Sequence, residues 1–167
     1  MMPATQNKKA IAPEKTPVFL LVVDVTEEFS VAVEYACAIV AKHSGRLALL
    51  NVIERSAFDH WLNVENKIKK EMRAQAESLI WDASRRVVEL TGKIPMIAIE
   101  EGERSDIIID MINQNSNIAM LILGGESSAS NPGPLVSYFS GKGLSKLRVP
   151  LMIVPGHLHV SDLEAIL

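Results

Sequence analysis

The chain has 167 residues, of which 48% are hydrophobic and 5% aromatic, and its formal net charge is -3 at pH 7. This length fits one domain with a full core, and the small negative charge gives no general attraction to nucleic acid or to an anionic membrane, so we predict neither partner. The single cysteine, Cys37, excludes an internal disulfide and favours a reducing compartment, from which we infer the cytoplasm. Cys37 falls in an apolar helical pattern, so we interpret it as a small core residue.

The two ends of the chain have little apolar pattern. Residues 1–15 lack the apolar centre of a secretory signal, and we predict that they form a flexible polar leader. No apolar run has the length needed to span a bilayer. We therefore predict one domain over residues 16–156, followed by a C-terminal tail over residues 157–167.

The first apolar run predicts a buried strand over residues 17–23, and Asp24 follows it directly. The helix that comes next is apolar on most faces. Thr26 or Asp24 is expected to cap this helix, and Gly45 is expected to stop it. Residues 46–53 then predict a second strand.

Residues 63–90 predict the longest helix, because their apolar residues recur at spacings of mostly three or four. A third strand is predicted over residues 93–99. Pro95 lies inside this run, and since proline cannot donate to a hydrogen-bonded ladder, it indicates a strand at a sheet edge. A short helix is predicted over residues 103–115.

Residues 118–123 predict a fourth strand, and a loop rich in Gly, Ser, Asn and Pro connects it to a helix that begins at about Pro134. Residues 151–154 predict a fifth strand. Five strands thus alternate with four helices. Right-handed crossovers then predict an α/β fold, in which one doubly wound, Rossmann-like parallel sheet of five strands carries helices on both faces.

Two strand orders differ in what they bring together. A flavodoxin-like order places Asp24 against Glu100 and Glu101, as in a receiver-type acidic cluster, but makes the third strand central, which Pro95 opposes. The order 3-2-1-4-5 places the third strand at an edge and sets Asp24 beside Gly124. We predict the order 3-2-1-4-5.

The loop over residues 124–133 is the best candidate for a site, because ligands of such sheets lie beyond the carboxyl ends of strands. A dinucleotide fingerprint G-x-G-x-x-G is absent after the first strand, so any phosphate must bind at this loop, and Asp24 is left to accept from a ribose hydroxyl or a base amine. No basic residue occurs between Arg104 and Lys142, and Glu126 lies in the loop, so we expect weak anion binding. A solvated connection with turn chemistry is the alternative interpretation.

Three segments resemble the bacterial universal stress proteins over about residues 16–156. They are FLLVVDVTEEFSVAVEYACAIVAKHSGRLALLNVIE, EEGERSDIIIDMINQNSNIAMLILGG and RVPLMIVPG. The resemblance implies the order 3-2-1-4-5. It also implies a homodimer in which the last strands, from Arg148 to Pro155, pair antiparallel; an uncovered apolar edge strand favours the same arrangement.

Nucleotide-binding members of that family carry the motif G-x2-G-x9-G-[ST] after the fourth strand. Counted without a gap from Gly124, the second glycine position is Ser127, the third is Ser137, and the Ser/Thr position is Tyr138. Only the first glycine is kept. Because the missing glycines remove close backbone approaches to phosphate, and Tyr138 adds bulk, we expect ATP or AMP to bind weakly or not at all.

The resemblance also implies roles for single residues. Asp24 matches the position that contacts ribose, and Val52 matches the position that contacts adenine. The predicted cofactor-binding residues are Asp24, Val52, Gly124, Gly125, Ser127 and Ser137. The family contains members that bind ATP and members that do not, and the sequence leaves both interpretations open.

We therefore predict a universal stress protein-like regulatory or binding protein of the stress response. No catalytic residue and no metal site are predicted, since the chain has no G-x-S-x-G, H-E-x-x-H or P-loop motif. The alternatives are a slow ATP-hydrolysing or phosphotransfer enzyme, or a receiver-type signalling domain. The enzyme alternative requires a cation over the fourth loop, and we expect none there.

Overall fold

The computed structural model describes residues 15–26, 28–54, 65–126, 130–159 and 161–162. Most of the predicted leader, the first residues of the predicted long helix and the end of the predicted tail lie outside this part of the chain. Within it, five strands alternate with four α-helices, and a 3₁₀ turn, Leu144–Lys146, precedes the last strand. The elements are β1 Val18–Val22, α1 Glu28–Lys42, β2 Arg46–Ile53, α2 Glu65–Thr91, β3 Met96–Glu101, α3 Arg104–Gln114, β4 Ile118–Gly125, α4 Pro134–Ser140 and β5 Leu151–Pro155.

The strands form one parallel sheet in the order β3-β2-β1-β4-β5, which confirms the predicted fold class and order. Since β2 lies between β1 and β3, Asp24 does not face Glu100 and Glu101 across a switch point, as the receiver-type alternative required. In the register, Val22 of β1 lies beside Leu50 of β2. The carboxyl ends of the central strands therefore meet at one edge of the sheet.

Side chains of β1 alternate between two hydrophobic cores, one on each face of the sheet. Phe19 and Leu21 pack with α1 and α2, whereas Leu20 and Val22 pack with α3 and α4. All five residues of β1 are buried, because helices cover both faces of a central parallel strand. Cys37 lies in the core on the α1 face, as predicted, and burial raises the pKa of its thiol to about 11.

Pro95 and Arg148 lie outside the strands to which the prediction assigned them. β3 begins at Met96, so Pro95 precedes the strand and does not lie inside it, although β3 is at the edge as expected. Arg148 precedes β5 and does not belong to it. Its guanidinium donates to the carbonyl oxygens of Ile112 and of Asn115, the latter at 2.6 Å, and so binds the C-terminal end of α3.

The C-terminal end of α1 is closed by a turn in which Ser44 has a left-handed backbone, with φ of 52°. The Gly45 N–H donates to the Val40 carbonyl at 3.0 Å, which is the outer bond of a Schellman motif. Gly45 thus takes part in stopping α1, but the position that usually requires glycine is occupied by Ser44. None of the helices in the described part of the chain has the length and hydropathy to cross a membrane.

Candidate functional site

Two cavities lie side by side at the carboxyl edge of the sheet, where α1 and α3 begin. The β1–β2 cavity, of about 180 Å³, lies between the ends of these strands and α2. The β1–β4 cavity, of about 40 Å³, lies between the ends of these strands and the start of α4. Asp24 and Arg104 line both cavities, so the two spaces meet at this pair of side chains.

The β1–β2 cavity has mostly apolar walls with a few polar groups. Its apolar lining residues are Val23, Val25, Val52, Ile53, Met72, Ala76 and Leu79. The amides of Asn51 and Gln75 add hydrogen-bonding groups, and Asn51 Nδ2 donates to the Val23 carbonyl at 3.1 Å. Such a cavity suits a flat, largely apolar ring that presents a small number of polar atoms.

The β1–β4 cavity is formed by Thr26, Phe29, Gly124 and the first residues of α4. Gly133 precedes α4 with φ of 97°, a conformation that glycine adopts readily, and Pro134 occupies the first helical position as predicted. The Asn131 side chain accepts from the Gly133 N–H at 3.0 Å. The Glu126 N–H, directly after β4, donates to the Pro132 carbonyl at 3.3 Å and so ties the residues before α4 to the end of β4.

Asp24 follows β1 and is only half-buried. Its Oδ1 accepts from the backbone N–H of Val25 at 2.7 Å, which orients the carboxylate at the junction of the two cavities. A carboxylate in this position is able to accept hydrogen bonds from the hydroxyls of a ligand.

Arg104 is the residue of this site that the sequence argument missed. Its Nε lies 3.3 Å from Oε1 of Glu54, and it lines both cavities, including the one formed by Gly124. The expectation of no cation near the fourth loop was therefore wrong. The Gly102 N–H donates to the Ile53 carbonyl at 3.0 Å and so draws the residues after β3 toward the end of β2.

The predicted strand order already indicated that Arg104 lies near the ends of the central strands. With the order 3-2-1-4-5, the helix after the edge strand β3 must return across β2 and β1 to reach β4. The first residue of that helix then approaches the ends of the central strands. Counting charges along the chain hid this proximity, because Arg104 and Gly124 are far apart in sequence.

The predicted site residues divide into three groups. Asp24 and Val52 line the β1–β2 cavity, and Asp24 and Gly124 line the β1–β4 cavity. Gly125 is buried and packs toward Ile153 of β5, where a Cβ would lie 3.2 Å from Ile153 Cγ2, and it lines neither cavity. Ser127 and Ser137 are the remaining two: Ser127 lies outside the described residues, and Ser137 lies on the exposed side of α4 and lines neither cavity.

The boundary of α4 separates two of these positions. Gly133 stands directly before α4 and lines the β1–β4 cavity, whereas Ser137 lies inside the helix on its exposed side. Pro134, which follows Gly133, offers neither a hydroxyl nor a backbone N–H at the start of α4.

Tyr138 does not add bulk to the cavity, contrary to expectation. Its ring packs on Gly143, where any Cβ would lie 2.2 Å from Cε1, and the ammonium groups of Lys142 and Lys146 lie 5.5 and 5.8 Å from its centroid. The ring is not part of the lining of the β1–β4 cavity.

A larger groove, of about 760 Å³, lies at the opposite edge of the sheet, near the amino ends of β1, β2 and β4. Its lining includes Met96, Ala98 and Met111. The loops that follow strands do not reach this edge, so we place the candidate site at the two smaller cavities. Among the residues that the structure describes, no group of three or more His, Cys, Asp and Glu side chains is arranged to hold a metal ion.

Comparison with known proteins agrees with this architecture. The model of the universal stress protein family matches residues 17–155. No curated protein matches the chain.

Several solved structures share the fold. Universal stress protein UspA from Lactobacillus plantarum is 19% identical, with a TM-score of 0.69, over 84% of this chain and 98% of that one. A universal stress family protein from Burkholderia pseudomallei is 16% identical, with a TM-score of 0.66, over 86% and 99%. A universal stress protein in complex with cAMP is 13% identical, with a TM-score of 0.58, over 87% and 99%.

Proposed function

Because this chain belongs to the universal stress protein family, we propose that it is a regulatory binding protein of the stress response that takes an adenine nucleotide weakly at the two cavities around Asp24. The observation that carries the proposal is the position of Asp24, where the two cavities meet. One carboxylate, at the end of the central strand, lines both a mostly apolar cavity that contains Val52 and a smaller cavity that contains Gly124.

The nucleoside occupies the β1–β2 cavity in this proposal. The base lies against Val52 and Leu79, and the amides of Asn51 and Gln75 provide polar contacts at its edge. The ribose lies at the junction, where Asp24 accepts from its hydroxyls. A universal stress protein in complex with cAMP is among the similar structures, which supports an adenine nucleotide as the class of ligand.

The phosphate side accounts for the weak binding. Pro134 provides no N–H at the first position of α4, and serine stands at two of the motif's glycine positions, Ser127 and Ser137. Fewer backbone donors converge on a phosphate than the family motif supplies. We expect dissociation constants on the order of 10 μM to 1 mM for AMP and ATP.

Calorimetric titration of AMP and ATP, with and without magnesium, tests the proposal. Asp24→Ala is expected to weaken binding about tenfold, since it removes a charged acceptor of ribose hydroxyls. Asp110→Ala is the matched control, because it removes a carboxylate from the exposed side of α3. No heat at millimolar ligand would reject nucleotide binding and leave an interaction protein, and a submicromolar constant lost in Asp24→Ala would show that the loop binds phosphate well.

We propose further that the ligand is bound and not turned over. Arg104 supplies a cation that the enzyme alternative requires, so this alternative needs its own experiment. Orthophosphate release from ATP is measured over several hours with the wild type and with Asp24→Ala. Faster orthophosphate release by the wild type than by Asp24→Ala would favour slow ATP hydrolysis at this site.

We also propose a homodimer through the edge strand β5. Leu151, Met152 and Ile153 are only half-buried in the single chain, and an exposed apolar edge strand invites pairing with a second copy. Light scattering at micromolar concentration is expected to give twice the chain mass of 18.3 kDa. A mass of 18.3 kDa alone would contradict the dimer.

A further inference from the structure

We infer that this site selects a nucleoside monophosphate over a triphosphate, and that Arg104 is the residue that binds its single phosphate. The inference rests on the proposed function, since it assumes that an adenine nucleoside occupies the β1–β2 cavity. It names the class of nucleotide and assigns a residue outside the glycine loop to the phosphate.

The position of Arg104 follows from how the cavities join. With a base in the β1–β2 cavity and a ribose at Asp24, the group attached to the 5′ carbon of the ribose enters the β1–β4 cavity. Arg104 lines that cavity together with Gly124 and Gly133. A phosphate there lies near the guanidinium of Arg104, at the start of α4, where Pro134 has no backbone N–H to donate.

The chemistry of the guanidinium suits this role. The ion pair with Glu54 engages Nε of Arg104, at 3.3 Å, and the two terminal nitrogens carry the other four of the five N–H donors. A planar fork of donors matches the oxygens of a phosphate. The Arg104 side chain is 31% exposed, so its charge is screened less than that of a fully exposed arginine.

The small size of the β1–β4 cavity favours a ligand with one phosphate. As formed by the described residues, its 40 Å³ holds about three water molecules at roughly 10–15 Å³ each, which is comparable to one phosphoryl group. Two further phosphoryl groups would have to lie outside it. A triphosphate would also bring more negative charge toward Asp24, Glu54 and Glu126, of which Asp24 lines the same cavity.

Glu54 competes with the ligand for Arg104. Its carboxylate is 46% exposed and is the anion that Arg104 holds in the structure. Removing this charge while keeping the shape, in Glu54→Gln, releases the guanidinium and is expected to strengthen AMP binding. Removing Arg104 is expected to act in the opposite direction.

The experiment is calorimetric titration of adenosine, AMP and ATP into the wild type and three variants. We expect wild type to bind AMP about tenfold more tightly than adenosine, as one charge-assisted phosphate contact provides, and ATP no more tightly than AMP. In Arg104→Gln, adenosine affinity is retained and the AMP preference falls to about unity. In Glu54→Gln the preference rises severalfold. Arg85→Gln is the matched control, because Arg85 pairs with Asp82 on the exposed face of α2.

The outcomes separate the inference from the proposed function. Retained adenosine binding in Arg104→Gln shows that this variant folds and that the nucleoside half is intact. An unchanged AMP preference in Arg104→Gln would overturn the inference while the proposed function stands, and so would ATP binding about tenfold more tightly than AMP to wild type. If none of the three compounds binds wild type, the proposed function fails and the inference fails with it.

Discussion

Gly45→Ala tests how the connection between α1 and β2 passes over β1. A Cβ on Gly45 would lie 2.5 Å from Cε2 of Phe19 and 2.9 Å from the carbonyl oxygen of Pro17. The backbone of Gly45 has no left-handed φ, so the glycine is required for its missing side chain and not for its conformation. The Pro17 carbonyl cannot retreat freely, because it accepts from the Arg46 N–H at 2.9 Å and so ties β1 to β2.

The expected cost of Gly45→Ala follows from this clash. Overpacking of one methyl group against a buried ring and a hydrogen-bonded carbonyl costs about 1–3 kcal/mol of the free energy of unfolding. For a chain of this size, a loss of about 2 kcal/mol lowers the melting temperature by roughly 4–8 °C. Ser44→Gly is expected to be neutral or stabilising by up to about 1 kcal/mol, because relief of the left-handed backbone is partly offset by the entropy of glycine.

Urea unfolding followed by circular dichroism measures these changes. Gly92→Ala is a comparison without a clash: Gly92 has φ of 68° and a Cβ there would have no atom within 4 Å, so only the cost of a left-handed backbone, about 1–2 kcal/mol, applies. A double-mutant cycle with Phe19→Leu should show a favourable coupling of at least about 0.5 kcal/mol, because the shorter side chain relieves part of the clash. A stability of Gly45→Ala within about 0.5 kcal/mol of wild type, or an additive cycle, would refute the reasoning.

Two further predictions concern single ionisable groups. Glu103 caps α3 by accepting from the Asp106 N–H at 2.9 Å, and the hydrogen bond from Ser105 Oγ is the main cause that lowers the pKa of this carboxyl below 4.5. The cap contributes about 0.5–2 kcal/mol to the free energy of unfolding. This contribution is fully present above the unfolded pKa of 4.5 and is lost as the pH falls through the lower folded pKa. The difference in unfolding free energy between wild type and Glu103→Ala should therefore shrink in acid, and an unchanged difference would contradict the cap. Burial raises the pKa of the Cys37 thiol to about 11, so a disulfide reagent at about pH 8 should label the chain only after denaturation, and rapid labelling of the folded protein would contradict this burial.

Local pattern determined the elements of this fold and their order. Runs of apolar residues predicted all five strands. The central strand β1 is buried at every position because helices cover both of its faces, whereas the edge strand β3 has no fully buried residue. Pro95 led to the correct edge position of β3, but it stands one residue before the strand and removes no ladder hydrogen bond there. Pro17 stands in the same place before the central strand β1, so a proline at this place does not by itself indicate an edge. Asp24 was predicted as a residue of the binding site because it directly follows a strand.

The packing of the helices on the sheet decided what surrounds Asp24, although the predicted strand order already brought the start of α3 toward the central strands. Arg104 reaches the two cavities because α3 returns from the sheet edge across β2 and β1, and no local pattern of charges encodes that distance. Ser137 lies inside α4 and Gly133 stands directly before it, and a count along the chain could not decide where the loop joins its helix. Hydrophobic periodicity and turn chemistry act between neighbours in the sequence. A cavity is built from residues that only the packing of helices on a sheet brings together.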